Sequence, residues 1–283
     1  MGTKQVKVFD DSGNDTGFLQ NHQNWWFDPQ FPHAFDLFDL DSFYEENYFK
    51  TDHVSSRVVR LYVDAVLDYG QRLNQAQVSS VFEAGCGGGW FTKEFMDRGV
   101  DVLAIEGTQA GLAKAVERGV PPERLIRHDL RRPLHLGRRF SIATCTEVAE
   151  HLECPFAGQL VQTLVNHSDV VWFTFEPPGT NDAHYHHCNE QPPKFWTNLF
   201  AFHDYRAIEI PAELRSQLKS RGWYIFCSPR VNIPTDLSWT RTETGSSASL
   251  GGTNGKTRRD RYWIKKFTPP IVLDFARILL NQK

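Results

Sequence analysis

Two carboxylates and an imidazole lie close together in the stretch TEVAEHLE, at Glu147, Glu150 and His151. Residues three and four positions apart share one face of a helix or helical turn, so this spacing predicts that the three side chains are neighbours. Carboxylate oxygens with one imidazole suit Mg²⁺ or Mn²⁺ better than a thiolate-rich zinc site does. Without a metal, His151 could instead act as a general base that removes the proton of a substrate hydroxyl.

Four glycines fall within five positions in the stretch VFEAGCGGGW, beginning at Gly85. Glycine is costly in regular structure because it has the most backbone freedom to lose. In an open parallel sheet, ligands bind beyond the carboxyl ends of the strands, and a glycine-rich turn there lets a ligand approach the backbone. Glu106 ends the next apolar run, 21 residues after Gly85, and could accept hydrogen bonds from ribose hydroxyls. Asp129 ends the third run and could meet an adenine.

Each of these features also has a purely structural interpretation. The glycines could serve only close helix–strand packing, Glu106 could be a solvated loop acid, and Asp129 could cap a helix. The dinucleotide pattern GxGxxG fits poorly, because its third glycine would fall at Trp90. The ordered occurrence of the glycines and the two acids, each after its own apolar run, favours a nucleoside-containing cofactor.

The elements that must position these residues alternate regularly from Ser80 onward. The runs SSVFEAG, VDVLAIEG, RLIRHDL, RFSIATCTE, DVVWFTFEPPG, YRAIEI and GWYIFCS predict strands. WFTKEFMDRG, QAGLAKAVERG, PFAGQLVQTLVNHS and PPKFWTNLFAFHD predict helices, as do residues 54–69. Strands that alternate with helices through short connections indicate an α/β fold with a doubly wound parallel sheet. A turn cluster between short apolar pieces predicts a hairpin-like start within residues 1–20.

The stretch EAGCGGG, with Glu83 two positions before its first glycine, resembles motif I of the class I S-adenosylmethionine-dependent methyltransferases. The resemblance extends from about Phe43 to Cys227. CTEVAEHLE is similar to the segment after the fourth strand, and FYEENYFKTDH to a lead-in helix that often closes over the cofactor. HHCNEQPPKFW resembles a segment of members that methylate small molecules, sugars among them.

This resemblance implies a Rossmann-like, doubly wound, seven-stranded sheet whose last strand is antiparallel. It implies S-adenosylmethionine as the cofactor. The cofactor-binding residues that it implies are Glu83, Ala84, Gly85, Cys86, Gly87, Gly89, Trp90, Glu106, Gly107, Asp129, Leu130, Thr146 and Glu147.

The pattern E-x-x-E-H resembles the metal-binding motif of the ubiquinone-biosynthesis O-methyltransferases and of enzymes that methylate the terminal 2′-hydroxyl of small RNAs. In the latter a further histidine follows the fifth strand, where this chain has DAHYHHCNEQ. By this resemblance the metal ligands are Glu147, Glu150, His151 and His187, for Mg²⁺ or Mn²⁺. The candidate catalytic residues are His151, Glu150 and His184. The same pattern also occurs in members that we assume to work without a metal, and histidines occur by chance in exposed loops.

Three regions are predicted from composition. Residues 1–52 form an aromatic and acidic N-terminal cap, in which Trp25, Trp26, Phe27 and Phe31 either pack as a core or stack on a ring of the acceptor. Residues 53–230 form the methyltransferase domain. Residues 231–283 contain a polar Gly/Ser/Thr-rich loop at 235–260 and a short apolar C-terminal helix.

The bulk properties exclude several function classes. A net charge of −3 over 283 residues argues against nucleic acid as a partner. Five scattered cysteines without CxxC spacing favour a reducing compartment. With no apolar leader region and no transmembrane stretch, we expect a cytoplasmic protein; the composition predicts no oligomeric state.

The function that follows is an O-methyltransferase acting on a small-molecule hydroxyl, a sugar or glycan first. One alternative is an RNA 2′-O-methyltransferase, which the basic clusters RHDLRRPLHLGRR and KTRRDRYWIKK favour. Another is a cofactor-binding pseudo-enzyme that works as a partner-binding module.

Overall fold

The computed structural model describes residues 6–9, 15–19, 40–44, 46–49, 55–179, 187–218, 222–237 and 239–240. All of them belong to one compact unit, residues 1–242. The predicted domain boundaries after residues 52 and 230 therefore stay predictions. His184, the four cap aromatics and the loop and helix beyond residue 240 lie outside the described residues.

The secondary structure follows the predicted alternation. The strands are β1 Val6–Phe9, β2 Asp15–Leu19, β3 Ser80–Ala84, β4 Asp101–Glu106, β5 Leu125–Arg127, β6 Ile142–Cys145, β7 Val170–Phe175, β8 Arg206–Glu209, β9 Gly222–Cys227 and β10 Trp239–Thr240. The α-helices are α1 Leu40–Phe43, α2 Glu46–Phe49, α3 Ser56–Asn74, α4 Trp90–Asp97, α5 Gln109–Glu117, α6 Ala157–His167, α7 Pro193–Phe202 and α8 Ala212–Leu218. Single 3-10 turns occur at Pro122–Arg124, Ala149–His151 and Cys154–Phe156.

The main sheet has the strand order β10-β8-β9-β7-β6-β3-β4-β5. Strands β3 to β7 are mutually parallel, and β9 lies antiparallel between β7 and β8. The predicted doubly wound, seven-stranded sheet with an antiparallel last strand is thereby confirmed. The short strand β10 adds an eighth, antiparallel to β8, within the region that was predicted as a loop. A separate hairpin of β1 and β2 matches the predicted start of the chain.

Both faces of the sheet are covered, which explains why its central strands are continuously apolar. Consecutive residues of β7 enter opposite cores: Trp172 packs with α3 and α4, and Phe173 packs with α6 and α7. The second core holds a close aromatic pair, Phe200 on Phe226, with ring centroids 3.7 Å apart.

Two helices differ from the sequence prediction. Helix α3 continues to Asn74 instead of ending near residue 69, and Gly70 lies inside it. A Cβ at Gly70 would collide with the side chain of Ile142 on β6, so this glycine serves the close approach of helix to sheet and does not end the helix. Helix α8 was not predicted, because its seven residues carry a weak apolar pattern.

Candidate active site

A cleft of about 140 Å³ opens at the carboxyl ends of β3, β4 and β6. Connections leave β3 and β6 in opposite directions across the sheet, which makes this edge the topological switch point where ligands bind in such folds. The cleft is lined by Leu40, Tyr44, Tyr48, Phe49, Gly85, Gly87, Glu106, Gly107, Thr108, His128, Asp129, Leu130, Arg131, Glu147, Val148, His151, Leu152 and Glu153.

The glycine-rich turn brings main chain directly to this cleft. The amides of Gly85 and Cys86 both donate to the carbonyl of Ile105 on β4, at 2.9 Å. Gly85 has φ +79°, and a Cβ on it would lie 2.5 Å from the Val148 side chain. No other residue type fits there without strain.

The side chain of Arg118 contacts the outer side of this turn. The Arg118 guanidinium donates to the carbonyl of Gly88 and lies over the Trp90 ring, 3.7 Å from its centroid. Trp90 therefore takes part in a cation–π contact behind the turn. Neither it nor the adjacent Gly89 lines the cleft.

Glu106 braces the turn from β4 and also faces the cleft. One carboxylate oxygen accepts from the Gly87 amide at 2.8 Å, and the other accepts from the Thr108 amide at 2.8 Å and hydroxyl at 2.7 Å. Burial raises the pKa of Glu106, and these hydrogen bonds oppose the rise. A carboxylate held in this way can still accept hydrogen bonds from ribose hydroxyls, as predicted.

Glu83 lies beneath the turn with 3% of its surface exposed. The Thr92 hydroxyl donates to its carboxylate at 2.6 Å. Burial raises the pKa of Glu83 to about 7, and the charge of Glu106 adds to the rise. Such a group gains from a cation, as the ammonium of an amino-acid moiety would supply.

The remaining predicted cofactor residues differ in position. Gly107 and Leu130 line the cleft, whereas Ala84 and Cys86 are buried and do not. The Thr146 hydroxyl is paired with the hydroxyl of Tyr62 and lies outside the lining as well.

Asp129 has a partner that sequence reasoning missed. Its carboxylate accepts from the side chain of Arg131 at 2.8–3.0 Å and from the Arg131 amide at 2.9 Å. Burial alone would raise the pKa of Asp129, but Arg131 lowers it overall. Arg131 also pairs with Glu153 at 3.3 Å. The sequence did contain a signal for this ion pair, since Arg131 follows Asp129 by two residues.

Of the two alternatives for TEVAEHLE, a helix or a helical turn, the structure has a single short turn that leaves out Glu147. Glu147 has a left-handed backbone with φ +52°, and only Ala149–His151 form a 3-10 turn. The Glu147 amide donates to the hydroxyl of Thr174 on β7 at 2.9 Å. A non-glycine residue held in this conformation is typical of a functional site.

Three of the four predicted metal ligands come together here. Ligand atoms of Glu150, His151 and His187 all lie within 4.8 Å of one another. The rings of His151 and His187 meet edge to face, with centroids 4.9 Å apart. Glu147 is not part of this cluster, but its charge helps to raise the pKa of Glu150.

Glu150 is the unusual member of the cluster. It is fully buried, and neither oxygen forms a well-aligned hydrogen bond, although the carboxyl of Glu147 lies close enough to share a proton. Burial raises its pKa well above the ordinary value, and the charges of Glu147 and Glu176 add to the rise. A buried carboxylate without donors is costly unless a proton or a cation compensates it. The donor set of one carboxylate and two imidazoles, with this uncompensated oxygen pair, fits a divalent cation.

The segment that carries His187 is docked by main chain onto the same turn. The amides of Cys188 and Asn189 both donate to the carbonyl of Glu150 at 2.9 Å, and the Asn189 side chain donates to the carbonyl of Ala149 at 3.2 Å. These bonds place His187 beside His151 without help from any ligand.

Both histidines have an outer partner at Nδ1. His187 Nδ1 lies 3.1 Å from a carboxylate oxygen of Glu190, and His151 Nδ1 lies 3.1 Å from the hydroxyl of Tyr44. Metal-binding histidines are usually oriented by partners of this kind. Sequence reasoning missed Tyr44, Glu190 and the buried Glu176; only Glu176 had a signal, since it directly follows the apolar strand β7.

Part of the chain is similar in sequence to a known family. Residues 82–165 match a family described as "Methyltransferase domain". No curated protein matches the chain by sequence. Among the described residues, no helix is long and apolar enough to cross a membrane.

Several solved structures are similar at low identity. Streptomyces venezuelae DesVI is 15% identical, with 60% of this chain and 92% of that one covered and a TM-score of 0.49. Magnesium protoporphyrin IX methyltransferase from Synechocystis PCC 6803, with bound SAH, is 14% identical, with coverages of 68% and 95% and a TM-score of 0.45. The plantazolicin methyltransferase BpumL is 11% identical, with coverages of 73% and 94% and a TM-score of 0.49.

Proposed function

Since residues 82–165 match a methyltransferase domain, we propose that the chain is a class I S-adenosylmethionine-dependent methyltransferase that methylates a hydroxyl of a small molecule, a sugar or glycan first, with the help of a divalent metal. The single observation that carries the metal is the buried carboxylate of Glu150, whose oxygens lack a well-aligned hydrogen bond, with His151 and His187 beside it. The cytoplasm remains its predicted location.

The cofactor half of the cleft, around the glycine-rich turn and Glu106, supports this proposal through two acids. Glu106 braces the glycine-rich turn and offers its carboxylate to ribose hydroxyls. Glu83 does not line the cleft but is buried beneath the turn with a raised pKa, and the ammonium of a cofactor bound nearby would stabilise its charged form. His184, which lies outside the described residues, stays a prediction as a further base.

The acceptor half of the cleft, around Glu147 and His151, supports attack by an oxygen on the sulfonium methyl. In this displacement an O–CH₃ bond forms, the S–CH₃ bond breaks with its electron pair left on sulfur, and the hydroxyl proton is released. A bound Mg²⁺ or Mn²⁺ would lower the pKa of an acceptor hydroxyl and hold a neighbouring oxygen. Glu150, His151 and His187 would hold the ion, and Glu147, which lines the cleft, would face the acceptor.

A metal with three protein ligands has room for two neighbouring oxygens, so vicinal diols are the acceptor class that we favour. The terminal ribose of an RNA also offers such a diol. Against RNA stands the pairing within the basic segment RHDLRRPLHLGRR: Arg127 is paired with Asp41, Arg138 with Asp101 and Arg139 with Asp169. Arginines neutralised in this way contribute less to a phosphate-binding surface.

Calorimetry on chelator-treated protein tests the metal. We expect Mn²⁺ to bind with one site per chain, and Glu150→Gln to abolish the heat, because the amide keeps the shape but not the charge. Glu117→Gln makes the same chemical change at an exposed position and serves as the control. Binding that survives Glu150→Gln would place the ion elsewhere, and wild-type protein without metal heat would leave His151 as a general base.

Two further measurements separate the function classes. S-adenosylhomocysteine should raise the melting temperature, since a ligand that binds only the folded state stabilises it; no shift would favour the pseudo-enzyme. Transfer of labelled methyl to sugars, but not to RNA oligonucleotides, would support the small-molecule acceptor, and the reverse result would overturn it.

A further inference from the structure

One short segment touches both halves of the cleft. This lid segment, residues 40–44 and 46–49, places Leu40 next to Gly107, where a Cβ would lie 2.7 Å from it, and Phe49 near Gly87, at 3.8 Å from a Cβ there. These are contacts with the two backbone stretches of the cofactor half. The lid segment therefore covers the place where we expect the cofactor.

Asp41 anchors the lid segment at its beginning. One of its carboxylate oxygens accepts from the Gln109 amide, the first of helix α5, at 2.6 Å, and the other pairs with Arg127. A carboxylate at a helix N-terminus is favoured by the unpaired amides and the helix dipole. This end of the lid segment is thus held on the cofactor side.

Tyr44 anchors the same segment on the acceptor side. Its hydroxyl lies 3.1 Å from Nδ1 of His151, and the two rings meet edge to face with centroids 6.0 Å apart. Only 9% of Tyr44 is exposed. A hydrogen bond at Nδ1 fixes the ring orientation of a histidine, and so decides where its other nitrogen points.

The two histidines of the cluster differ in where their outer partners come from. His187 Nδ1 meets Glu190, three residues along the same docked segment, so this contact does not involve the lid segment. His151 Nδ1 meets Tyr44, 107 residues away, on the segment that covers the cofactor half. This contact of His151 therefore depends on where the lid segment lies.

From this asymmetry we propose that Tyr44 is a positioning residue that couples cofactor binding to the orientation of His151. The role of His151 in this proposal rests on the proposed function, whereas the coupling rests on the contacts of the lid segment. A cofactor that holds the lid segment closed also holds Tyr44 against His151, and a ligand at His151 strengthens cofactor binding by the same factor, because such coupling is reciprocal.

A double-mutant cycle on metal-free protein tests the coupling. The affinity for S-adenosylhomocysteine is measured by calorimetry for wild type, Tyr44→Phe, His151→Ala and the double variant. We expect each single change to weaken binding by about 3- to 10-fold, the range for one lost hydrogen bond. The double variant should be no weaker than the worse single one, because both changes remove the same contact.

Tyr205→Phe is the matched control. Its hydroxyl is also buried and donates to the carbonyl of Ser168 at 2.5 Å, but it lies in the second core and not in the cleft. We expect it to lower thermal stability and to leave S-adenosylhomocysteine affinity unchanged. Additive effects of Tyr44→Phe and His151→Ala, or no effect of Tyr44→Phe, would overturn the coupling.

A second arm uses the metal alone. S-adenosylhomocysteine should raise the Mn²⁺ affinity of the wild type several-fold, and Tyr44→Phe should bind Mn²⁺ without this gain. If Tyr44→Phe does not fold, Asp41→Asn loosens the other end of the lid segment and should lose the same gain. If the wild-type protein binds the cofactor but no Mn²⁺, the proposed metal site is wrong, and the double-mutant cycle alone then tests the coupling. If the protein binds neither ligand, both proposals are wrong.

Discussion

Replacing Glu83 by glutamine should make the cofactor-free protein more stable at alkaline pH. Burial raises the pKa of this carboxyl to about 7, against 4.5 for an ordinary glutamate. The folded protein therefore holds the proton more tightly than the unfolded chain. Between these two pKa values the folded state binds more protons, so the free energy of unfolding falls as the pH rises from about 4.5 to about 7, and then stays low.

The size of the effect follows from the same shift. At about 1.4 kcal/mol per unit of pKa, a rise of this size costs about 3 kcal/mol once Glu83 is ionised. Glutamine cannot ionise, and its amide oxygen can still accept the hydrogen bond from the Thr92 hydroxyl. We therefore expect the advantage of Glu83→Gln over the wild type to grow by about 2–3 kcal/mol between pH 5 and pH 8.5.

Urea unfolding of both proteins at the two pH values measures this difference. Glu117→Gln, at an exposed site, is the control and should show no growing advantage. The reasoning is wrong if Glu83→Gln is equally or less stable than the wild type at pH 8.5. Glu83→Gln should at the same time weaken S-adenosylmethionine binding, because the neutral amide offers no charge to the ammonium of the cofactor.

Two further changes should report on packing and on the buried charges. Gly222→Ala should lower the free energy of unfolding by at least about 2 kcal/mol, because a Cβ there would lie 2.5 Å from the carbonyl oxygen of Phe175. Gly158→Ala is the control, because a Cβ there would have no atom within 4 Å. It should be neutral or slightly stabilising in the same urea titration. Arg131→Met should cost about 3 kcal/mol or more, because it leaves the buried Glu153 carboxylate without its cation, and the loss should shrink at low pH where Glu153 is protonated. An Arg131→Met variant as stable as the wild type at pH 8 would contradict this view of the pair.

Much of the cofactor half could be predicted from local patterns. Strand, glycine-rich turn and helix follow one another within about 20 residues, and each acid stands at the end of its own strand. Parallel strands bring their carboxyl ends to one edge, so residues far apart in sequence, such as Glu83 and Glu106, meet by the rule of the fold alone. Local pattern failed at Gly70, because the contact that explains it, with Ile142, is 72 residues away.

The acceptor half depended on contacts between distant segments. The spacing of Glu150 and His151 indicated a metal site, but the backbone around Glu147 is set by a hydrogen bond to Thr174, which belongs to another strand. For this reason only Glu150 and His151 share the short turn, and Glu147 lies outside the cluster.

The order of strands and helices, the turn that admits a ligand and the chemical types of the acids beside it could be predicted from the sequence, because they follow from periodicity and from backbone freedom. Three features came from the folded chain instead: the segment of His187 docks on the carbonyl of Glu150, the Glu150 carboxylate is buried without a well-aligned hydrogen bond, and Tyr44 reaches His151. Those features arise where loops and a lid segment pack against the sheet, and no local pattern encodes which of many polar side chains will meet there.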